Sequence, residues 1–303
     1  MKKIRLAVVS GFYPGGGVVT YVKKLYSELC KSKNIEITIF LDSPNKRYDH
    51  EIRKSFPKEI RIKIFRVPHK RLIKGLVFAI KLIKTLNHRD FDLIEIHHTA
   101  YANVLSPFIP EEKLIVTTHG PDVLDGRMNN KLYSLLAKKA YRKAALIFSH
   151  TNEEVRKIRS FGDFEDKAIF FPCGVDINGV RNFKKTDLRK ELGIKNKYVL
   201  CTTYGKNYKR KGTHILMNAL PKIMKEDVAV VLTGQMSEEI LPLVREAEKK
   251  HPGRFFWIGF RNDVPNVLAN SDIYILPSLI EGMSVSLLEA MAAGKACIAT
   301  AGV

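Results

Sequence analysis

The chain has little that would staple it together or carry it across a membrane. Its 303 residues hold four cysteines, Cys30, Cys173, Cys201 and Cys297, and none is spaced as C-x-x-C. That excludes a disulfide framework and a cysteine zinc site, and predicts buried thiols in a reducing compartment. No apolar run approaches the roughly 18 residues that cross a bilayer, because lysine interrupts every candidate. Met1-Lys-Lys-Ile-Arg5 begins like a leader, but Leu6-Ala-Val-Val9 is too short for a leader's apolar core and reads better as a first strand. Repeats and low-complexity tracts are missing as well. Acidic residues are scarce, 31 against 51 basic ones, for a net charge of +20. The excess lies mainly before residue 180. Such a field favours anionic partners: phospholipid, lipid phosphate, nucleotide phosphate or nucleic acid. No nucleic-acid motif is found and aromatics do not interleave with the basic residues, so nucleic acid is the disfavoured partner. The expected location is the cytoplasm, with room for a peripheral contact to the membrane face.

Hydrophobic residues make up 45% of the chain, and its length exceeds one comfortable core. Strand and helix patterns alternate throughout, which predicts two α/β domains with parallel sheets and crossover helices. In the first, strands are expected over 4–9, 35–41, 61–67, 93–96 and 113–117, with 145–149 closing the sheet. Helices are expected over 18–31, 72–86 and 130–143. Phe171-Pro-Cys-Gly-Val-Asp176 is a turn-rich linker, so the domains are drawn as 1–172 and 173–303. Strands of the second are expected over 198–203, 228–232, 255–258, 273–276 and 296–299. Two facing domains of this kind would hold ligands at the carboxyl ends of their strands.

Four stretches carry chemistry. In Glu281-Gly-Met-Ser-Val-Ser-Leu-Leu-Glu289, two carboxylates stand a little over two helical turns apart, at the front of a helix expected to start near Met283. Backbone N–H groups and the helix dipole there suit a ligand with hydroxyls and a phosphate, such as a nucleotide-sugar. A capping carboxylate with a solvated helix face is the plainer alternative. Ser10-Gly-Phe-Tyr-Pro-Gly-Gly-Gly-Val-Val19 joins the first strand to the first helix, and its glycines allow a phosphate to approach backbone. It is neither G-x-G-x-x-G nor a P-loop. Gly205-Lys-Asn-Tyr-Lys-Arg-Lys-Gly212 puts cations where a strand ends, as a departing diphosphate would need; alone, it also reads as a solvated basic loop. Thr117-Thr-His-Gly120 ends another strand, where a lone histidine is otherwise structural.

Pro277-Ser-Leu-Ile-Glu281-Gly-Met-Ser-Val-Ser-Leu-Leu-Glu289-Ala-Met-Ala-Ala-Gly294 resembles the E-x₇-E signature of family 4 retaining glycosyltransferases with the GT-B fold. The resemblance covers almost the whole chain. It implies an α/β fold of two Rossmann-like domains, the first acceptor-side and the second donor-binding. It implies that Glu281 contacts the donor sugar and Glu289 the ribose. Gly282, Met283, Ser284 and Val285 supply the helix N-terminus, and Lys206 and Lys211 hold the diphosphate. Gly16 and Gly17 match the family's Gly-Gly loop, which touches donor phosphate and acceptor, with Tyr13 beside it on the acceptor side. His119 matches Thr-x-His-Gly, whose histidine lies next to the transferred sugar, and Arg261 falls where the base is met. His97 sits where the family has His-x-His, with Glu95 replacing the first His, and is assigned to the acceptor side. The chain departs from the family in placing Lys206 where Arg is usual, which loses a bidentate contact that Lys209 or Arg210 would have to replace. Cys173 stands for Asn in the linker, and the sequence stops at Val303 where the family continues.

The implied activity is retaining transfer from a nucleoside diphosphate-sugar to a hydroxyl of a lipid-linked or polysaccharide acceptor, without metal or other cofactor. Asp90-Phe-Asp92 is similar to the D-x-D metal signature of the other main glycosyltransferase fold, but precedes a strand and reads as solvated carboxylates. A nucleotide-sugar epimerase of the same architecture, or a binding relative without activity, is the alternative. Lys70 to Leu86 is a basic amphipathic helix, with Lys74, Lys81, Lys84 and His88 expected on one face, and Lys138, Lys139, Arg142 and Lys143 form a second basic cluster. It is either a core-packed helix with a wet side or a contact for anionic headgroups.

Overall fold

The computed structural model describes residues 3–12, 16–43, 45–68, 71–184, 186–204 and 207–301; the side chains at 47, 71–74, 76 and 204 lie outside that description. The chain forms two compact units, Met1–Cys173 and Gly174–Val303.

Among the described residues, unit 1 carries seven strands. They are β1 (Ile4–Gly11), β2 (Ile35–Ser43), β3 (Arg61–Arg66), β4 (Leu93–His97), β5 (Leu114–Thr117), β6 (Leu146–Ser149) and β7 (Ala168–Phe170). They lie in the order β3-β2-β1-β4-β5-β6-β7, every neighbouring pair parallel. The helices are α1 (Gly17–Leu29), α2 (Arg47–Lys54), α3 (Arg71–Thr85), α4 (Thr99–Leu105), α5 (Pro121–Leu124), α6 (Lys131–Lys143) and α7 (Asn152–Arg159). Both faces of the sheet are covered, so β1 is apolar almost without a break. Leu6 and Val8 pack with Tyr21, Val22 and Tyr26 of α1. Ala7 and Val9 face Phe78 and Leu82 of α3, Leu105 of α4 and Tyr141 of α6. Burying one such large side chain contributes about 1.5–3 kcal/mol.

Several expectations change. The sheet does not close at 145–149, because β7 adds to β6; with three residues, two of them exposed, β7 has no readable alternation. Asp92 is a tie and not a solvated carboxylate. It accepts from the Arg5 backbone N–H at 2.8 Å and pairs with the Arg5 guanidinium at 3.2 Å, bracing β1 against the entry to β4. Helix α3 ends at Thr85, so His88 falls in a following 3₁₀ turn, off the helix face. Its Phe78, Ala79 and Leu82 are buried while Lys81 and Lys84 are exposed, the amphipathic split that was expected; the Lys74 side chain is outside the described ones.

Unit 2 has, among the described residues, β8 (Tyr198–Tyr204), β9 (Val228–Gly234), β10 (Phe255–Trp257), β11 (Ile273–Leu276) and β12 (Ala296–Ala299). Their order is β10-β9-β8-β11-β12, again parallel throughout. Its helices are α8 (Ile177–Arg181), α9 (Leu188–Leu192), α10 (Thr213–Ile223), α11 (Leu241–Lys250), α12 (Val264–Ala269) and α13 (Val285–Ala292). Leu200, Val230 and Leu232 pack under α10 and α11, and Cys201, Val231 and Tyr274 under α12 and α13. The outermost strand, β12, is exposed along its length, so Cys297 is a surface thiol and not the buried one expected. In each sheet the chain order reverses once, between β1 and β4 and between β8 and β11. Parallel sheets bind ligands beyond the carboxyl ends of the strands at such points.

Candidate functional site

In unit 2, the loops leaving β8 and β11 are locked together. Gly212 has φ +65°, and a Cβ there would stand 1.7 Å from the Pro277 carbonyl oxygen, so only glycine fits. Leu279 N–H donates to the Arg210 carbonyl at 2.8 Å. Arg210 Nη1 reaches the Ile280 carbonyl at 3.0 Å and Glu281 Oε2 at 3.1 Å. Lys211 Nζ donates to Glu281 Oε1, which also accepts from Ser278 Oγ at 2.8 Å. The Glu281 side chain is 8% exposed. Burial alone would raise its carboxyl pKa, but the charges of Lys211 and Arg210 outweigh burial and hold it below the usual range. Two cations share one carboxylate, which leaves the cluster positive.

Helix α13 follows. Ser284 caps it by accepting from Leu287 N–H at 3.4 Å, so the helix starts at Val285, two residues later than expected. Glu281 therefore lies in the approach loop, with Gly282 and Met283 between it and the cap, while Glu289 sits in the helix, partly buried. Tyr274 ties the surroundings: its hydroxyl donates to Ser286 Oγ at 2.8 Å and lies 2.9 Å from Thr203 Oγ1. The Arg261 guanidinium is held by both oxygens of Asp263, at 2.7 and 2.6 Å, so it is already partnered within the protein. Lys206 lies outside the described residues.

In unit 1, Gly16 caps α1 in extended conformation, and a Cβ at Gly17 would meet nothing within 4 Å. At the end of β1, Asp42 of β2 accepts from Phe12 N–H at 3.0 Å and from Tyr101 Oη at 2.5 Å. Tyr13 lies outside the described residues. His97 ends β4 and His119 follows β5; their rings meet at 3.1 Å, Nδ1 to Nε2. His97 is fully buried with both ring nitrogens engaged, one by Tyr26 Oη at 2.8 Å and the other by His119. His119 keeps 8% exposure. The structure adds neighbours that no motif announced. His150, after β6, bonds the other nitrogen of His119 at 3.2 Å. Asp122 accepts from the backbone of His119 and Thr99, both at 3.3 Å, and pairs with His98 and Arg127. His98 sits at φ +82°, a costly conformation that this pairing helps to hold. Glu154 accepts from His150 N–H and both Thr151 and Thr118 hydroxyls, and its own N–H donates to Thr151 Oγ1 at 3.1 Å, so Thr151 caps α7. Among the described residues no cluster of three or more His, Cys, Asp or Glu could hold a metal ion.

The profile of Glycosyltransferase Family 4 matches residues 15–178, more than half of the chain. This chain belongs to glycosyltransferase family 4. Residues 196–303 match Glycosyl transferases group 1. This glycosyltransferase is 29% identical, over 99% of its length and 81% of the other, to an uncharacterized glycosyltransferase of Methanocaldococcus jannaschii. It is 25% identical to the UDP-Gal:alpha-D-GlcNAc-diphosphoundecaprenol alpha-1,3-galactosyltransferase of Escherichia coli, over 75% of its own length and 62% of that enzyme. Its fold is GT-B: HepE of Anabaena, solved with UDP and glucose, superposes with a TM-score of 0.76 at 20% identity, covering 98% of this chain and 80% of HepE. No helix among the described residues is long and apolar enough to cross a membrane.

Proposed function

We propose that this glycosyltransferase moves a sugar, with retention and without metal, from a nucleoside diphosphate-sugar to a hydroxyl of a lipid-linked or glycan acceptor. The observation that carries the reading is the cluster of Lys211, Arg210 and Glu281 ahead of α13, at the carboxyl ends of β8 and β11. It is net positive and sits beside helix N–H groups, which suits a diphosphate leaving group. In this reading Lys206, Lys211 and the stretch Gly282, Met283, Ser284 and Val285 take up charge as the diphosphate departs. Glu281 orients the sugar, Glu289 the ribose, and the backbone near Arg261 the base. Gly16 and Gly17 admit the phosphate, and His119 lies beside the transferred sugar. The leaving phosphate accepts the proton of the incoming hydroxyl on the same face, so no side chain need be a strong base.

The acceptor class is supported by the Escherichia coli relative, named for a diphosphoundecaprenol-linked acceptor, and by the basic surface of α3 and α6, which suits a peripheral contact with anionic lipid. The reading is tested by a thermal-shift panel of UDP-, GDP- and ADP-sugars. One nucleotide class should raise the melting temperature, and transfer to a lipid-diphosphate acceptor should then be measurable with that donor. No shift with any of them rejects the donor site.

A further inference from the structure

One line of side chains crosses the carboxyl edge of the first sheet. Tyr26 Oη on α1 lies 2.8 Å from His97 Nε2. His97 Nδ1 lies 3.1 Å from His119 Nε2, and His119 Nδ1 lies 3.2 Å from His150 Nε2. The line ends where His150 Nδ1 meets the Phe171 carbonyl oxygen at 2.8 Å. Tyr21 lies against all three imidazoles, its ring centre 5.9, 5.6 and 4.6 Å from those of His97, His119 and His150. All four members of the line are buried.

The direction of every bond follows from the last one. A carbonyl only accepts, so His150 Nδ1 carries hydrogen. A neutral imidazole has one N–H, which leaves His150 Nε2 as an acceptor and makes His119 Nδ1 a donor. The same step makes His97 Nδ1 a donor to His119 Nε2, and the Tyr26 hydroxyl donates to His97 Nε2. No other neutral arrangement satisfies all four bonds. Neutrality is supported by burial, which lowers the pKa of each of the three rings. The charged or titratable groups facing them are Glu95, His98, Asp122, Glu154, Tyr21, Tyr26 and Cys173. Glu95 is 3.5 Å from His97 Nε2, and burial pushes its own carboxyl up.

We propose that His150, with His97 and Tyr26 behind it, is a positioning residue for His119: the line anchored on the Phe171 carbonyl fixes the His119 ring as its neutral Nδ1–H tautomer. Both ring nitrogens of His119 are then committed within the protein. The ring presents a fixed shape to whatever binds beside it, and neither gives nor takes a proton. Its bearing on sugar transfer rests on the proposed function; the tautomer itself does not.

Long-range ¹H–¹⁵N spectra of histidine-labelled protein test the line directly, with His97, His119 and His150 assigned from single substitutions. The expected result is three neutral Nδ1–H imidazoles at pH 7, unchanged down to about pH 5.5, where free imidazole is charged. An Nε2–H tautomer at any of the three, or titration of any between those limits, overturns the proposal. His150→Ala should release the His119 ring into mixed tautomers, while His150→Gln, whose amide oxygen can accept at the Nε2 position, should keep it. An unchanged His119 signature in His150→Ala also overturns it. In transfer assays His150→Ala should lower kcat roughly tenfold or more with KM for the donor little changed, and Gln should recover most of it. Should no nucleotide-sugar be used at all, the functional reading fails while the spectra still decide the line.

Discussion

Lys211 donates to Glu281 across 70 residues of sequence, joining the loops that leave two neighbouring parallel strands. In the proposed function, a diphosphate arriving at this cluster meets a cation already partnered by a carboxylate. The bond between them must be exchanged, in whole or part, for bonds to phosphate. Arg210 holds the other oxygen of the same carboxylate at 3.1 Å, so in that proposal Glu281 stays compensated when Lys211 turns to the phosphates.

Glu281→Gln separates the two halves of that exchange. Transfer should be abolished, because the sugar contact is lost. Nucleoside diphosphate binding should stay within a few-fold or tighten, since Arg210 and Lys211 lose their competing carboxylate. Calorimetry beside a product assay measures both, and wild-type turnover in the variant would remove Glu281 from the site.

Lys211→Ala should weaken nucleoside diphosphate binding by about 2–3 kcal/mol, the scale of a hydrogen bond to a charged group. An unchanged affinity in calorimetry would mean that this loop does not meet the phosphates.

Glu154 gives a pH signature. Burial pushes its carboxyl up to about 7 from an ordinary value of 4.5. Below pH 4.5 both folded and unfolded chains hold the proton. Between 4.5 and 7 the unfolded chain releases it while the folded one keeps it, so this contribution to stability falls as pH rises, by roughly 3 kcal/mol in full. Glu154→Gln cannot titrate. The stability of wild type minus variant, from urea unfolding at pH 5 and pH 8, should therefore drop across that interval. A difference independent of pH would mean that Glu154 is ionised in the fold throughout.

The basic face of unit 1 should distinguish lipids by charge. Lys81 and Lys84 are exposed on α3, and α6 exposes Leu132, Leu135, Lys139 and Arg142 on one stripe. Vesicles containing anionic phospholipid should bind the protein and neutral ones should not. Replacing Lys81 and Lys84 with Gln should cost up to roughly 2 kcal/mol of binding, and added salt should mimic the change. Equal sedimentation with both vesicle types, or with neither, would assign the charge to a soluble partner.

What could be read from the sequence was local. Lys211, Glu281 and Glu289 sit in contiguous stretches whose wording and spacing survive without coordinates, and the alternation of apolar segments was enough for most strands of both sheets. The histidine line was not readable, because Tyr26, His97, His119, His150 and Phe171 lie far apart in sequence and meet only through the parallel order of β4, β5, β6 and β7 and the packing of α1 against them. His97 is the instructive case. Its resemblance to one half of a His-x-His pair placed it on the acceptor side, and nothing in that wording told that the strand's register turns its ring inward between Tyr26 and His119. The partners of Asp92 were hidden for the same reason, since Arg5 lies 87 residues away on β1. Helix α7 was legible in principle from Thr151 and Glu154, but at eight residues it offers too little periodicity to announce itself.

The uneven exposure of the four thiols turns the protein into its own unfolding reporter. Cys297 stands on the open strand β12, while burial pushes the Cys173 thiol up to about 12 and that of Cys201 up to about 11. Cys173 packs against the core of unit 1 and Cys201 lies in the core of unit 2. A thiol-reactive dye added to the folded chain therefore marks position 297 ahead of these two. The later appearance of label at 201, the buried thiol, then times the opening of unit 2, with no mutation introduced.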